Sequence, residues 1–226
     1  VQFVANIHQA RAELSSHFAE IQIPQSRPLS KGEVLGCTAP TIDATSVDSV
    51  VYIGDGRFHL EAIMIANPDL PYFRYDPYSK VLSKEGYAHD QLRDNRQAAI
   101  KRAADAKTFG IVQGTLGRQG NPHVVARITS LIRAAGRKHV VVLLSEISPA
   151  KLKEFEGVEA WVQVACPRLS IDWGHFFEAP LLTSYELEVA LKETEWREVY
   201  PMDYYAQNAG PWANYPRNVA NRPSNF

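Results

Sequence analysis

The sequence reads as an α/β protein made of two related three-layer domains with mainly parallel sheets. Three observations lead there. Strand-like apolar runs alternate with helical stripes in both halves of the chain, the pattern of strand–helix–strand units. Runs such as VVYI (50–53) and VVVLL (140–144) are continuous rather than alternating, as expected for strands covered on both faces. The two halves also share a pattern, since VVYIGDGRFHLEA and WVQVACPRLSIDW both pass from strand to polar loop to aromatic residues.

Phe3, Ile7, Ala10, Leu14 and Phe18 recur at helical spacing, which predicts a first helix. No Ser, Thr, Asp or Asn precedes that stripe as a cap, so an upstream element is expected before Val1. AEIQI (19–23) predicts a short strand closed by Pro24. The Pro- and Gly-bearing segment 26–40 predicts a loop with at most a short helix at Lys31–Leu35. Val47–Ile53 is a β-branched run stopped by Gly54-Asp55-Gly56. Leu60–Ala66 predicts a buried helix ended by Asn67-Pro68, and Tyr72–Tyr75 a further strand. Residues 87–107 are rich in Ala, Arg, Lys and Gln with a narrow stripe of small residues. They predict a long, mostly exposed helix joining the domains, so that a middle α/β domain spans 1–107.

The C-terminal α/β domain is expected at 108–198. Phe109–Val112 predicts a strand leading into the loop GTLGRQGNP. Asn121 can cap the next helix, Pro122 suits its first position and Gly136 its end. Val124, Val125, Ile128, Leu131, Ile132 and Ala135 form its apolar face. Val140–Leu144 and Ala160–Ala165 predict strands, and Pro149–Phe155 and Ser184–Lys192 predict helices. From Val199 to Phe226 the chain is rich in Tyr, Asn and Pro without periodicity. So many aromatics predict an extended arm that packs in part.

Composition narrows the function classes. Lys and Arg number 24 against 25 Asp and Glu, so no net charge attracts a nucleic-acid backbone or an anionic membrane. No apolar run approaches the ~20 residues of a membrane span, and the opening segment is not a secretory signal. Two cysteines, at 37 and 166, exclude a disulfide-stapled scaffold and predict a cytoplasmic protein with reduced thiols.

In parallel α/β sheets, ligands bind at the carboxyl ends of the strands. Four polar loops leave such ends: 54–59, 114–122, 145–149 and 166–174. The glycine-rich loop 114–122 either offers N–H groups to an anion or is a tight turn, and it matches neither GxGxxG nor GxxxxGK[ST]. Cys37, in Leu-Gly-Cys-Thr-Ala-Pro, and Cys166, in Ala-Cys-Pro-Arg, read as buried small hydrophobes, as nucleophiles needing a base, or as ligands needing further donors.

Five segments in order, YIGDGRFHLEAIMIANP, FRYDPYSK, GTLGRQGNP, LLSEISPAKL and WVQVACPRLSIDWG, resemble the diphthamide synthase family in its eukaryotic subunit 1 branch. The resemblance implies that the two domains are the second and third of a three-domain fold, each domain giving one cysteine to a 4Fe–4S cluster. It implies an S-adenosylmethionine-dependent transferase. An atypical radical reaction moves a 3-amino-3-carboxypropyl group to a histidine of translation elongation factor 2. It also implies a heterodimer with subunit 2 and a small iron-carrying electron donor, with neither membrane nor direct nucleic-acid binding.

Carried over by motif, Cys37 and Cys166 are the metal ligands of the second and third domains, and the remaining cysteine is expected upstream of Val1. Three thiolates leave one iron of a cubane open to the methionine moiety. By position, Thr115, Arg118, Gln163, Arg168 and Asp172 are candidates for holding S-adenosylmethionine, with Asp55 from the other domain. A second reading, of another class, is a partner-binding fragment of that enzyme, inactive alone because it lacks the first cysteine. An unrelated hydrolase has no supporting motif such as GxSxG.

Overall fold

The structure is a computed structural model that describes residues 3–117 and 120–216. It has mixed α/β architecture with mostly parallel sheets, as the sequence predicts. The chain divides into two compact units. One takes the chain up to Ala88 together with Glu198–Asn208; the other takes His89–Arg197 and the chain from Ala209 on.

The first unit opens with α1 (Val4–Leu14), whose N-cap Phe3 makes no side-chain cap hydrogen bond and whose residues are none of them buried. Then come β1 (Val50–Ile53), α2 (Phe58–Ala66), β2 (Tyr72–Asp76) and β3 (Val81–Glu85). β1 and β2 are parallel, and β3 adds antiparallel to β2. The β3 hairpin has no signal in the sequence pattern, because VLSKE lacks an apolar face. It forms because Asp76 Oδ1 accepts from Tyr78 N at 2.9 Å and Lys80 takes φ +56°, closing a turn. α2 is buried along most of its length, and Asn67 locks its end. That amide donates to Pro40 O and Ile63 O and accepts from Ile42 N at 2.7 Å.

One expectation fails in this unit. Residues 19–23 form no strand, because the chain turns back at Pro24, whose carbonyl accepts from Gly32 N at 2.9 Å. Ile23 and β1 instead both line a hollow of about 290 Å³. Residues 26–40 form a loop, as expected, with no helix at 31–35; Leu35 and Thr38 bridge each other across a turn.

The second unit starts with α3 (His89–Ala104). The expected boundary at residue 107 lies instead between 88 and 89. Ala99, Ile100 and Ala103 of α3 belong to the same core as Phe109 and Ile111, so the helix is part of this unit rather than a connector. β4 (Thr108–Gly114), α4 (Pro122–Ala134), β5 (Lys138–Leu144), α5 (Pro149–Lys153), β6 (Ala160–Val164), α6 (Arg168–Trp173), a 3-10 turn at Gly174–Phe176, β7 (Leu181–Leu182) and α7 (Ser184–Ala190) follow. The sheet order is β5-β4-β6-β7, all parallel.

Alternate residues of β4 and β6 feed two cores, which makes this unit three layers deep. Phe109, Ile111, Val162 and Val164 pack with α3, α4 and α7. Val112 and Trp161 pack on the opposite side with Leu152 and Phe177. Asn121 caps α4 as expected, accepting from His123 N at 2.9 Å. Gly136, at φ +69°, ends it, donating to Arg133 O while Arg137 N reaches Ile132 O.

VVVLL is not covered on both faces. β5 is an edge strand, and Val141 and Leu143 are 42% and 63% exposed. The segment read as a loop after Cys166 contains α6, begun by Pro167 at its N-cap. The C-terminal segment, where it is described, contributes buried side chains. Tyr200, Met202 and Tyr204 are buried in the first unit, and Trp212 in the second, its carbonyl accepting from Ser184 Oγ at 2.8 Å. Residues 217–226 of the expected arm lie outside the described residues. No described helix is long and apolar enough to cross a membrane.

Candidate functional site

Each unit holds one cysteine, partly exposed and in no disulfide. Cys37 sits in the tight turn that Leu35 and Thr38 close through reciprocal backbone hydrogen bonds of 3.0 and 3.2 Å. Gly36 lets the Phe58 ring at the start of α2 lie against the turn, since a Cβ there would come 2.0 Å from the ring and force it to shift. The returning C-terminal segment fixes the turn from its other side. Tyr204 N donates to Cys37 O at 3.3 Å, and Tyr205 N donates to Thr38 Oγ1 at 2.8 Å. That same hydroxyl lies 3.6 Å from Cys37 Sγ.

Cys166 lies just past β6, at the carboxyl end of the parallel sheet. Burial pushes its thiol above the ordinary value. The amides of Arg168 and Leu169 and the Arg168 guanidinium oppose that shift, and Asp172 adds to it. A raised thiol is a poor nucleophile at neutral pH, whereas coordination to a cation would deprotonate it.

The register brings the second unit's candidates to one end of the sheet. Gly114 pairs with Leu144 and Gln113 with Val164, so Thr115 leaves the same edge as Ala165 and Cys166. Thr115 is exposed, and its amide donates to Leu144 O at 2.9 Å. Arg118 lies outside the described residues. Gln163 is buried and committed to the cysteine loop: Nε2 donates to Cys166 O at 3.0 Å and to Ser170 Oγ at 3.2 Å, while Oε1 accepts from Ala165 N at 2.8 Å. Arg168 is buried too, and its Nε reaches both oxygens of Asp172 at 2.9 Å.

Asp55 belongs to the first unit, exposed at the carboxyl end of β1. With Tyr52 and His59 it lines the polar part of the 290 Å³ hollow, whose walls include Val34, Ile42 and Ile63. Burial, and then the Asp55 charge, push the Tyr52 phenol up.

Thr38, Arg96, Ser170 and Glu186 support these loops and were not singled out from sequence. For two of them a signal existed. Thr183-Ser-Tyr-Glu186 has capping-box spacing, and Arg96 interrupts the apolar stripe of α3.

Thiols are soft donors that suit iron, and both lie in loops, Cys166 just past β6 and Cys37 in a turn ahead of β1. They are two donors in two separate units. Among the described residues no group of three His, Cys, Asp or Glu is gathered for a metal. The two thiols alone do not make up the ligand set of a 4Fe–4S cluster.

The fold defines the class as an α/β protein with mostly parallel sheets and one loop cysteine in each of its two units, and comparison with known proteins gives the family. The family model for diphthamide synthesis proteins matches residues 1–201, and the chain belongs to that family. It is 58% identical over 222 residues to 2-(3-amino-3-carboxypropyl)histidine synthase subunit 1 of Gallus gallus, covering 97% of this chain and 54% of the relative. It is 53% identical over 213 residues to the Homo sapiens protein of the same name, covering 94% and 48%. Among solved structures it is similar to Dph2 of Pyrococcus horikoshii determined with a 4Fe–4S cluster. That match has TM-score 0.69 and 29% identity and covers 88% of this chain and 56% of the other. The chain spans about half the length of the curated relatives it matches.

Proposed function

We propose that the chain is the cysteine-bearing part of a subunit that performs the first step of diphthamide biosynthesis. In that step a 3-amino-3-carboxypropyl group passes from S-adenosylmethionine to a histidine of translation elongation factor 2. What carries the reading is Cys166, held at a strand end in a fold similar to that of the cluster-bearing Pyrococcus horikoshii protein. A bound 4Fe–4S cluster would supply the electron that breaks the bond between the sulfonium and the methionine γ-carbon. Cys37 and Cys166 are two of its ligands, and the remaining cysteine comes from sequence beyond this span.

The chain's residues divide their work by exposure. Thr115 and Asp55, both exposed, are accessible to the substrate. Gln163 holds the Cys166 backbone, and the Arg168–Asp172 pair sets the charge beside the sulfur. The reaction takes place in the cytoplasm, in a heterodimer with subunit 2 served by an iron-carrying electron donor. Read as a partner-binding fragment, the chain alone would contribute the fold and two thiolates without turnover.

Anaerobic iron and sulfide analysis, with transfer of labelled S-adenosylmethionine carbon to elongation factor 2, tests both statements. The full-length subunit paired with subunit 2 should load a cluster and transfer label. Cys37→Ala or Cys166→Ala should abolish both. Full loading and turnover by the 226-residue chain alone would overturn the three-cysteine account.

A further inference from the structure

Arg96 is 1% exposed and Glu186 is buried completely. Arg96 Nε donates to Glu186 Oε1 at 2.7 Å, and Nη2 donates to Glu186 Oε2 at 2.7 Å, a bidentate pair. Glu186 also accepts from Thr183 N at 2.8 Å, so the carboxylate is fixed by the cap of α7. The guanidinium then reaches further. Nη2 donates to Leu181 O at 2.8 Å, and Nη1 donates to Ser170 O at 2.7 Å. Gly174 leaves room for it, since a Cβ there would come 2.3 Å from Nη1.

Removing two opposite charges from water is costly, and apolar side chains of similar volume would often serve stability as well. The position of the pair is therefore the informative feature. Ser170 lies in α6, the helix that follows Cys166. Its carbonyl is held by Arg96 and its hydroxyl by Gln163, whose amide also grips Ala165 N and Cys166 O. A continuous path of hydrogen bonds, buried as far as Gln163, runs from Glu186 through Arg96, Ser170 and Gln163 to the Cys166 backbone.

We propose that Arg96 is a positioning residue for Cys166, anchoring α6 to the capped start of α7 so that the cysteine loop keeps one conformation. This rests on the reading of Cys166 as a sulfur ligand, and it adds a residue that never touches the sulfur. A forked side chain is needed to hold a carboxylate and two carbonyls together. Lysine carries the charge but not the fork.

The test is hydrogen exchange and alkylation by N-ethylmaleimide at one fixed pH, on the intact protein with Cys37→Ser, with the label at Cys166 read by peptide mass spectrometry. Three variants are compared: Arg96→Lys, Arg96→Met, and Arg96→Met with Glu186→Gln. The last removes both charges while keeping an acceptor for Thr183 N. Expected is at least about tenfold faster exchange across residues 165–171 and about tenfold faster alkylation, with β4 and α4 as protected as before.

Unchanged exchange at 165–171 in a folded variant would overturn the proposal. So would acceleration spread equally over β4 and α4, or unfolding of all three variants, because each makes Arg96 a general stability residue. Failure of the ligand reading shows elsewhere, as undiminished cluster content in full-length Cys166→Ala, and leaves the exchange result standing.

Discussion

Gly110 on β4 and Trp161 on β6 are directly paired across the parallel ladder, and the indole lies over the glycine. A Cβ on residue 110 would come 2.2 Å from Trp161 Cε3. Trp161 is 1% exposed and packs edge-on against Phe155, so it has nowhere to retreat. Gly110→Ala should therefore destabilise the second unit by about 2–3 kcal/mol, the overpacking cost of a filled core. Urea denaturation followed by tryptophan fluorescence checks it. A variant as stable as the parent would mean that the ring can move.

Charge and pH bear on the first unit through Glu85. The Ser83 hydroxyl donates to Glu85 Oε1 at 2.6 Å, Arg74 Nε donates to the same oxygen at 3.1 Å, and Arg57 pairs with Oε2. Together, Ser83 first, they hold the carboxyl below its ordinary range against the opposing effect of burial. A depressed native pKa stabilises the fold at pH above the unfolded value of about 4.3, and that contribution fades as pH falls through the native value. Glu85→Gln should thus be less stable than the parent at pH 7, with the gap closing below about pH 4. Thermal melts across pH 3–7 measure it; a gap constant with pH would show that the pairing carries no linkage.

The features legible in the sequence are those encoded within a few residues of themselves. Asn121, Pro122 and Gly136 bracket α4 by local chemistry, and the structure uses each in that role. Coverage of a strand is decided by distant elements. VVVLL has a buried-strand composition yet takes the sheet edge because α4 carries the chain outward past β4. α6 was hidden because Cys-Pro-Arg and Asp-Trp-Gly read as turn chemistry around a six-residue helix. Arg96 was hidden because a helix arginine is ordinarily solvated, and its carboxylate partner lies 90 residues away. The cysteines were identified through the surrounding motifs, since two lone thiols at distant positions carry no spacing signal.

The edge position of β5 has a measurable consequence. Leu143 is exposed, whereas Leu144 packs against the core around Trp161 and Leu152. Leu143→Lys should change stability by no more than about 0.5 kcal/mol and lower aggregation, since an edge lysine discourages strand pairing. Leu144→Lys should cost more than about 2 kcal/mol, because a charge would be forced against apolar side chains. Denaturation midpoints and light scattering of the two variants decide it. Equal losses would mean that both faces of the strand are covered.

Thr38 ties the cysteine turn of the first unit to the returning C-terminal segment. The residue is fully buried, its backbone bridges both Leu35 and Asp203, and its hydroxyl accepts from Tyr205 N beside the Cys37 sulfur. Thr38→Val keeps the shape but removes the oxygen, leaving the Tyr205 amide without that acceptor at a cost of about 1–3 kcal/mol. Thr38→Ser keeps the oxygen and loses a methyl group, which costs about 1 kcal/mol. The expected order of local protection is therefore parent, then serine, then valine. Hydrogen exchange over residues 200–206 should follow that order. So should the alkylation rate of Cys37 in a Cys166→Ser background, with valine fastest. If valine proved the better protected of the two, packing of the methyl group rather than the hydroxyl would be what secures the Cys37 turn.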